Sequence, residues 1–260
     1  MAEPKHSFET INGCKISLRR AGKGEPLLFL HGAGGGHIWF PFMAALSERY
    51  EVFVPEHPGF GPSDTPEWLD TVGDLAFFYL DFMEQFGLRD VHLMGASLGG
   101  WTAAEVAVRN TSRLKTVTLV SAAGIYVKGV PMGDMFLWPP EEGIRHVWKD
   151  PKWQEKMLST PQTEEQQDLA RRNRLTTAKL AWQPRWYNPQ LRKWLHRIDV
   201  PTHIVWGDAD GLFPTPYAKA YQELIPGSTM TMLSAGHIPQ VEQADEFVEA
   251  VTSFIGKSAS

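Results

Sequence analysis

Cysteine is almost missing from this chain of 260 residues, which contains only Cys14. One thiol cannot form a disulfide bond within the chain, and it cannot supply the clustered thiolates of a structural metal centre. We therefore expect a fold that is held together by its apolar core, without disulfide bonds and without a bound metal ion.

Long apolar runs and runs of like charge are missing as well. No stretch is apolar over the roughly 20 residues that a membrane-spanning helix needs. Residues 1–10 are polar and lack the apolar segment of a secretory signal peptide. The net charge of −5 and the isoelectric point near 6.0 disfavour a nucleic-acid-binding surface. We expect a cytoplasmic protein that binds neither membranes nor nucleic acids.

Hydrophobic residues make up 43% of the chain and are arranged in a repeating order of strand and helix. Alternating runs on both sides of Asn12-Gly13 predict an antiparallel hairpin. Apolar runs predict strands at 26–30, 50–55, 91–94, 114–120, 200–206 and 229–233. Helical spacing of apolar residues predicts helices over 69–86, 98–110, 216–224 and 245–255. This order and the chain length favour one α/β domain with an insertion.

The strand-like runs stop between residues 125 and 197. This stretch is rich in methionine and tryptophan, and helical segments such as 163–180 alternate in it with proline-rich breaks. We predict a helical cap, residues 125–197, that lies over the carboxyl edge of a sheet formed by residues 1–124 and 198–260. Arg171, Arg172 and Arg174 are interpreted as a solvated helix face, with the alternative that one of them contacts an acidic substrate group.

The segment Gly95-Ala96-Ser97-Leu98-Gly99 follows a predicted strand and directly precedes a predicted helix. In that context a Gly-x-Ser-x-Gly sequence predicts a nucleophile elbow, a sharp turn that lifts the serine above the sheet. The two glycines allow strand and helix to approach closely. The amide of Leu98, at the start of the helix, is predicted to be an oxyanion donor. An ordinary glycine-rich loop is the alternative.

A second glycine-rich segment, residues 31–37, follows the strand at 26–30. It lacks the Gly-x-Gly-x-x-Gly spacing of a dinucleotide-binding loop, so we interpret it as a loop whose amides face a substrate carbonyl. The amide of Ala33 is the predicted second oxyanion donor, with Gly34 as the alternative. His31 is interpreted as a structural residue that holds this loop, not as a catalytic base.

A serine nucleophile needs a base, and the base needs a group that fixes its tautomer. Residues that directly follow parallel strands meet at one edge of the sheet, so they are the candidates. His237 follows the last predicted strand, and both Asp208 and Asp210 follow the strand before it. The chain order of serine, aspartate and histidine predicts Ser97 as nucleophile and His237 as base, with either aspartate as the acid.

Taken together, these segments resemble the α/β-hydrolase superfamily, and within it the capped single-domain serine hydrolases, over nearly the whole chain. The matching segments are His31-Gly32, 58–63, 95–99, Trp206-Gly207-x-x-Asp210-x-x-x-Pro214 and Gly236-His237. The resemblance implies an α/β-hydrolase fold, with a mostly parallel central sheet, helices on both faces and a helical cap. It also implies that Asp210 is the acid, because the family's aspartate comes three residues after the glycine of the Trp-Gly pair.

The resemblance further implies acyl transfer in two steps by a triad of Ser97, Asp210 and His237, with the amides of Ala33 and Leu98 as oxyanion hole. No metal ion or organic cofactor is needed for this chemistry. We expect the substrate to be a carboxylic ester of a small to medium, fairly apolar molecule, and the protein to be a monomer or a homodimer. The residues expected to line the substrate pocket are Gly32, His37, Trp138, Trp182, Trp186 and Ile238.

The nearest alternative activity is that of the meta-cleavage product hydrolases, which cleave C–C bonds in ring-fission products. These relatives are similar in length, cap and glycine-rich loop, but typically have a tryptophan after the catalytic histidine and a methionine after the serine. This chain has Ile238 and Leu98 instead. Epoxide hydrolases and haloalkane dehalogenases use an aspartate nucleophile, which Ser97 argues against. Haloperoxidase-like relatives and non-catalytic ligand-binding proteins of the same fold stay open as alternatives.

Overall fold

The computed structural model describes residues 3–258, in which eight strands form one sheet. The strands are β1 (Lys5–Ile11), β2 (Cys14–Ala21), β3 (Pro26–Leu30), β4 (Glu51–Pro55), β5 (Val91–Ala96), β6 (Leu114–Val120), β7 (Thr202–Gly207) and β8 (Thr229–Leu233). Their order across the sheet is β1-β2-β4-β3-β5-β6-β7-β8. The pairs β1–β2 and β2–β4 are antiparallel, and all other neighbours are parallel. The mostly parallel sheet predicted from the sequence is therefore confirmed.

The antiparallel edge of the sheet begins with the predicted hairpin. Asn12 and Gly13 both have positive φ angles, 47° and 79°, as a two-residue turn between twisted strands requires. The turn sets the register of β1 on β2, from Lys5 opposite Arg20 to Ile11 opposite Cys14. The Asn-Gly pair thus determines the local structure here, as the sequence predicts.

Helices surround the sheet in the described part of the chain. They are α1 (Pro41–Leu46), α2 (Val72–Gln85), α3 (Leu98–Arg109), α4 (Pro140–Val147), α5 (Pro151–Ser159), α6 (Glu164–Ala181), α7 (Leu191–Trp194), α8 (Pro216–Leu224), α9 (Pro239–Glu242) and α10 (Ala244–Ser258). The sequence does not predict α1 and α9, because helices of 6 and 4 residues are too short to show a helical period. None of the helices in residues 3–258 has the length and apolar character needed to cross a lipid bilayer.

Two buried clusters lie on opposite faces of the sheet, and strand alternation assigns residues to them. Leu28 and Leu30 of β3 pack in the cluster that contains α2, α3 and α8. Leu27 and Phe29 of the same strand pack in the cluster that contains α1 and α10. Because successive side chains of a strand point to opposite faces, a continuous apolar run is buried on both sides. Helices therefore cover both faces, as expected.

Residues 125–197, all of which the structure describes, form α4 to α7 and a short 3-10 turn, Leu195–Arg197. No strand occurs in this described range apart from a single bridge of Tyr187 to Gly124. Side chains of α6 bond to the turn after β4, where Thr176 Oγ1 donates to the Gly59 carbonyl at 2.6 Å. Leu191 of α7 is buried in the same cluster as α3. The division of the chain into a core and a cap stays a prediction.

The contact between the start of α3 and the sheet depends on the two glycines of the elbow. A Cβ at Gly95 would overlap the backbone of Gly99, and a Cβ at Gly99 would overlap the carbonyl oxygen of Leu30 in β3. Both neighbours are backbone atoms of buried elements and cannot rotate away. Glycine is therefore required at both positions for α3 to start where it does.

We predict that Gly99→Ala lowers the free energy of unfolding by about 2–3 kcal/mol, because the added methyl group forces β3 and α3 apart. The control is Gly256→Ala in α10, where an added Cβ meets no atom within 4 Å. That change should raise the free energy of unfolding by about 0.5–1 kcal/mol through better helix propensity. Urea denaturation of the two variants measures both effects, and similar effects of the two changes would contradict the close packing.

Candidate active site

Ser97 lies between β5 and α3 in a strained backbone conformation, with φ 55° and ψ −115°. A non-glycine residue persists in this region only when its surroundings hold it there. Its N–H donates to the Val120 carbonyl at 2.9 Å, and its carbonyl accepts from the amides of Trp101 at 3.0 Å and Ala123 at 3.1 Å. The central strands and α3 thus fix the turn, and the side chain of Ser97 lines a cavity.

The imidazole of His237, which follows β8, is bonded to a carboxylate from the loop after β7. Its Nδ1–H donates to Asp210 Oδ2 at 2.9 Å. Its backbone amide donates to the Val147 carbonyl at 2.7 Å, so the residue is fixed at two points. His237 lines the same cavity as Ser97, and its Nε2 is buried without a partner among residues 3–258. With Nδ1 protonated, Nε2 carries the lone pair that can accept a proton.

The carboxylate of Asp210 is held by the loop that follows β7. Its Oδ1 accepts from the amides of Leu212 at 2.8 Å and Phe213 at 2.9 Å, which leaves Oδ2 for His237. Asp208 lies at the surface, where it forms an ion pair with Lys149 at 2.9 Å. The structure therefore brings Asp210, and not Asp208, to the imidazole.

The cavity has a volume of about 470 Å³ and is lined mainly by apolar side chains. Its wall contains the apolar residues Phe29, Phe40, Phe42, Met43, Ala96, Val147 and Val241. It also contains the loop after β3 together with Met135, Phe136, Ala170, Asn173, Arg174, Thr177, Trp186 and Leu212. Ser97, His237, Ile238 and Gln240 complete it. A cavity of this size with a largely apolar wall suits a small, largely apolar ligand.

The loop after β3 forms a turn in which the Gly35 amide donates to the Gly32 carbonyl at 3.1 Å. Its central residues, Ala33 and Gly34, line the cavity, and their amides have no acceptor among the turn, loop and cap hydrogen bonds of the described residues. The amide of Leu98 is the first of α3, and helix geometry gives it no acceptor within the helix. The side chain of Leu98 is buried outside the cavity wall. The assignment of these amides as an oxyanion hole stays a prediction.

Two buried side chains, Asn173 and Glu56, form hydrogen bonds with the backbone of this loop. Asn173 of α6 donates from Nδ2 to the Gly34 carbonyl at 3.0 Å and accepts at Oδ1 from the Gly61 amide at 2.8 Å. Glu56 accepts at Oε1 from the Gly36 amide at 2.9 Å, and burial raises the pKa of its carboxyl group. The loop that carries the predicted oxyanion donors is thus fixed both by the sheet and by α6.

His31 has a structural position at the base of the loop. Its Nδ1–H donates to the Gly32 carbonyl at 2.7 Å, and its Nε2 accepts from the His57 amide at 2.9 Å. Burial lowers the pKa of His31 to about 3, so the ring is neutral near neutral pH. Because both ring nitrogens are already bonded, His31 cannot act as the base, in agreement with its interpretation as a structural residue.

Four of the six residues predicted to line the pocket, Gly32, His37, Trp186 and Ile238, lie in the cavity wall. Trp138 and Trp182 are not among the residues that line the cavity. Trp138 stacks on His146, with ring centroids 4.1 Å apart, and Trp182 is 47% exposed with Arg185 over its outer face. Trp138 is also packed against the hydrophobic core and Trp182 lies edge-on to Phe136, so both rings have packing partners of their own outside the cavity wall.

Most of the cavity wall is not identified from the sequence. Phe29 belongs to an apolar strand and looks like any core residue, whereas Phe40, Phe42 and Met43 lie at the unpredicted helix α1. One available signal is the spacing of Ala170, Asn173, Arg174 and Thr177, which places them on one face of α6. Of the three arginines on this helix, Arg174 lines the cavity, Arg172 bonds to the Ser63 carbonyl and Arg171 pairs with Asp168.

Metal-ligating side chains are dispersed in the part of the chain that the structure describes, where no three of the histidine, cysteine, aspartate and glutamate residues could hold an ion together. The cavity wall contains the Ser97 hydroxyl at its strained turn and the imidazole of His237, whose Nδ1 is bonded to the Asp210 carboxylate.

Comparison with known proteins gives matches over most of the chain. A family model described as the alpha/beta hydrolase family matches residues 27–250. Lipase 3 of Moraxella sp. (strain TA144) is 27% identical over 260 residues, which cover 89% of this chain and 77% of the lipase. The 2-hydroxy-6-oxo-6-(2'-aminophenyl)hexa-2,4-dienoic acid hydrolase of Metapseudomonas resinovorans is 24% identical, with 97% and 91% covered. The crystal structure of the enol-lactonase from Burkholderia xenovorans LB400 is similar with a TM-score of 0.75 and 20% identity, covering 96% of this chain and 100% of the lactonase.

We predict that Asn173→Ala lowers the free energy of unfolding by about 2–4 kcal/mol, because it leaves the Gly34 carbonyl and the buried Gly61 amide unpaired. Arg171→Ala on the same helix removes only an exposed ion pair with Asp168 and should change this free energy by less than about 1 kcal/mol. Urea denaturation followed by circular dichroism measures both variants. A small effect of Asn173→Ala would mean that α6 does not hold the loop.

Proposed function

Because the chain belongs to the alpha/beta hydrolase family, we propose that it is a serine hydrolase that cleaves a carboxylic ester through an acyl-enzyme on Ser97. The substrate is a small to medium, fairly apolar molecule. The observation that carries the proposal is the pair of Asp210 and His237, joined at 2.9 Å: the Nε2 of His237 has no hydrogen-bond partner among the described residues, and His237 lines the same cavity as Ser97. In this proposal the Ser97 hydroxyl is the nucleophile, the His237 imidazole is its base and the Asp210 carboxylate orients the imidazole, as in the catalytic triad of serine proteases.

In the first half of the reaction, His237 Nε2 accepts the proton of the Ser97 hydroxyl as the serine oxygen bonds to the ester carbonyl carbon. The carbonyl oxygen becomes an oxyanion, which the amides of Leu98 and Ala33 stabilise. Asp210 stabilises the imidazolium and keeps its ring oriented. The tetrahedral intermediate then loses the alcohol, which takes the proton from His237, and the acyl group stays on Ser97.

In the second half, water replaces the alcohol in the cavity. His237 takes one proton of the water while the oxygen of the water bonds to the acyl carbon. The amides of Leu98 and Ala33 again stabilise the oxyanion. The intermediate collapses, Ser97 recovers its proton from His237 and the carboxylic acid leaves. The net reaction adds one water across the ester bond, so it needs no cofactor.

The residues of the cavity wall favour an ester, and not a ring-fission product, as the substrate. A dienoate carries a carboxylate that needs a cationic partner, but Arg174 is the only lysine or arginine in the wall formed by the described residues. Its side chain is exposed and donates to the Phe136 carbonyl at 3.2 Å. Ile238 follows His237 directly and adds a further apolar surface. Lipase and lactonase relatives act on ester bonds, in line with this choice.

C–C bond hydrolysis is the second candidate function. It is supported by the likeness to the dienoic acid hydrolase, which extends over 97% of this chain, and by Arg174 at the cavity wall. To separate the two, we would compare turnover of short-chain p-nitrophenyl esters with the loss of absorbance of a ring-fission dienoate. Ester turnover with a stable dienoate spectrum is expected. Rapid bleaching of the dienoate with little ester turnover would overturn our first choice.

We predict that a fluorophosphonate labels the protein once, on Ser97, and that labelling abolishes hydrolysis of p-nitrophenyl acetate. The strained turn and the free Nε2 of His237 activate this hydroxyl among all serines of the chain. Intact-mass spectrometry and peptide mapping measure the label, and Ser97→Ala is the control that should take none. A wild-type protein that takes no label and turns over no ester is a ligand-binding member of the family.

We predict that Asp210→Asn lowers kcat on the same ester by about ten-thousand-fold, because the amide turns the His237 ring into the wrong tautomer. An asparagine oxygen still accepts from the Leu212 and Phe213 amides, so the melting temperature should change little. The matched control is Asp208→Asn, which removes a surface ion pair and should stay within about threefold of wild type. A larger loss for Asp208→Asn would reverse the assignment of the acid.

A further inference from the structure

Three backbone amides from two separate segments converge on the carboxylate of Glu242, the last residue of α9. Its Oε1 accepts from the Gly236 amide at 2.7 Å. Its Oε2 accepts from the amides of Lys149 at 3.0 Å and Asp150 at 2.9 Å. Hydrogen bonds from N–H groups to an ionised carboxylate are stronger than those between neutral groups. This half-buried side chain therefore joins the loop after β8 to the segment that connects α4 and α5.

The bond to Gly236 lies one residue from the proposed base. Gly236 directly precedes His237, whose amide donates to the Val147 carbonyl at 2.7 Å. A Cβ at Gly236 would overlap this same carbonyl oxygen, so the two backbones are in close contact. The Glu242 carboxylate thus holds the backbone that carries the imidazole, while Asp210 holds the Nδ1 of the ring at 2.9 Å.

The α4–α5 junction, residues 146–150, contacts both loops of the acid–base pair. The His146 carbonyl accepts at 3.2 Å from the amide of Gly211, which directly follows Asp210. The next residue, Val147, bonds to the histidine loop and also lines the cavity. A movement of the α4–α5 junction relative to the sheet would therefore disturb both members of the acid–base pair. The bonds of Glu242 to Lys149 and Asp150 oppose such a movement.

The surroundings of Glu242 favour a negative charge at this point. Asp150 is the N-cap of α5, so the amides that Oε2 accepts from lie at the start of a helix, where the dipole attracts an anion. The ammonium group of Lys149 pairs with Asp208 at 2.9 Å. A glutamine at position 242 has one acceptor oxygen, and its NH2 group would face amides that also donate. Only a carboxylate can accept from both segments together.

We propose that Glu242 is a positioning residue for the proposed base. Its carboxylate fixes the histidine loop against the α4–α5 junction, so that the His237 imidazole keeps one position relative to Asp210 and Ser97. The inference rests on the proposed function and adds a residue to it. Because Glu242 lies outside the cavity wall and acts through Gly236, it governs the rate of the chemical steps and not the binding of substrate.

The first test measures p-nitrophenyl acetate hydrolysis by Glu242→Gln and Glu242→Ala, with active sites counted by fluorophosphonate titration. We expect kcat per active site to fall about tenfold in Glu242→Gln and about a hundredfold in Glu242→Ala, because small displacements of a catalytic group are costly. KM should stay within about threefold of wild type. The matched control is Glu249→Gln, which changes an exposed glutamate of α10 and should keep kcat within about twofold.

A residue that only stabilises the fold would give a different result. Loss of such a residue lowers Tm and the fraction of active sites, but the molecules that remain folded keep the wild-type kcat. The proposal is therefore overturned if both Glu242 variants keep the wild-type kcat per titrated site, whatever their Tm. If Glu242→Ala does not fold, Glu242→Gln, which preserves the size of the side chain and one acceptor oxygen, decides alone.

A proton NMR measurement separates failure of this proposal from failure of the proposed function. The proton that joins His237 Nδ1 to Asp210 should give a downfield resonance, identified as the one that Asp210→Asn removes. In Glu242→Gln we expect this resonance to shift or broaden, and in Glu249→Gln to stay unchanged. If the wild-type protein hydrolyses no ester, the proposed function fails, but the resonance still reports the position of His237. An unchanged resonance in both Glu242 variants counts against the positioning role alone.

Discussion

The close contact of α3 with the central strands is the constraint on which the site depends. Gly95 and Gly99 allow the first turn of α3 to lie directly on β3 and β5, and no larger residue fits at either position. This contact puts Ser97 into its strained conformation, and three backbone hydrogen bonds from β6, α3 and the loop after β6 keep it there. The position of the serine is therefore determined by the packing of buried backbone, which side-chain motion cannot relax.

The polar groups around the serine fall into two classes that differ in how fully they are bonded. His31, His57 and Tyr79 form a chain of buried groups whose ring nitrogens all have partners, and burial lowers the pKa values of both histidines. This chain is neutral and supports the loop after β3. His237 differs because one nitrogen is bonded to Asp210 and the other is unpaired. The same residue type thus supports the loop where both ring nitrogens are bonded, and has the bonding that the proposed base requires where one nitrogen is unpaired.

The fold follows from the sequence wherever a local pattern decides the structure. Asn12-Gly13 determines a hairpin, the run 26–30 forms β3 at the predicted bounds, and the order of strands and helices predicts the parallel sheet. That an aspartate after β7 lies near His237 is also predictable, because both follow parallel strands that end at one edge, but only the family resemblance selects Asp210 over Asp208. The cavity wall is less predictable. Trp138 packs on His146 and the core, Trp182 packs on Phe136 and Arg185, and no sequence pattern distinguishes them from Trp186, which lines the cavity.

Asn173 has a consequence for how molecules can enter the cavity. One amide group joins α6 both to the turn at Gly61 and to the loop at Gly34. Any movement that separates α6 from that turn breaks both bonds together, so a molecule with α6 lifted has also released the loop. The cavity therefore cannot open by movement of α6 while the loop after β3 keeps its hydrogen bond to Asn173. Ile38 and Met135, two exposed residues of the cavity wall, mark a rim where a molecule can pass while the loop stays intact.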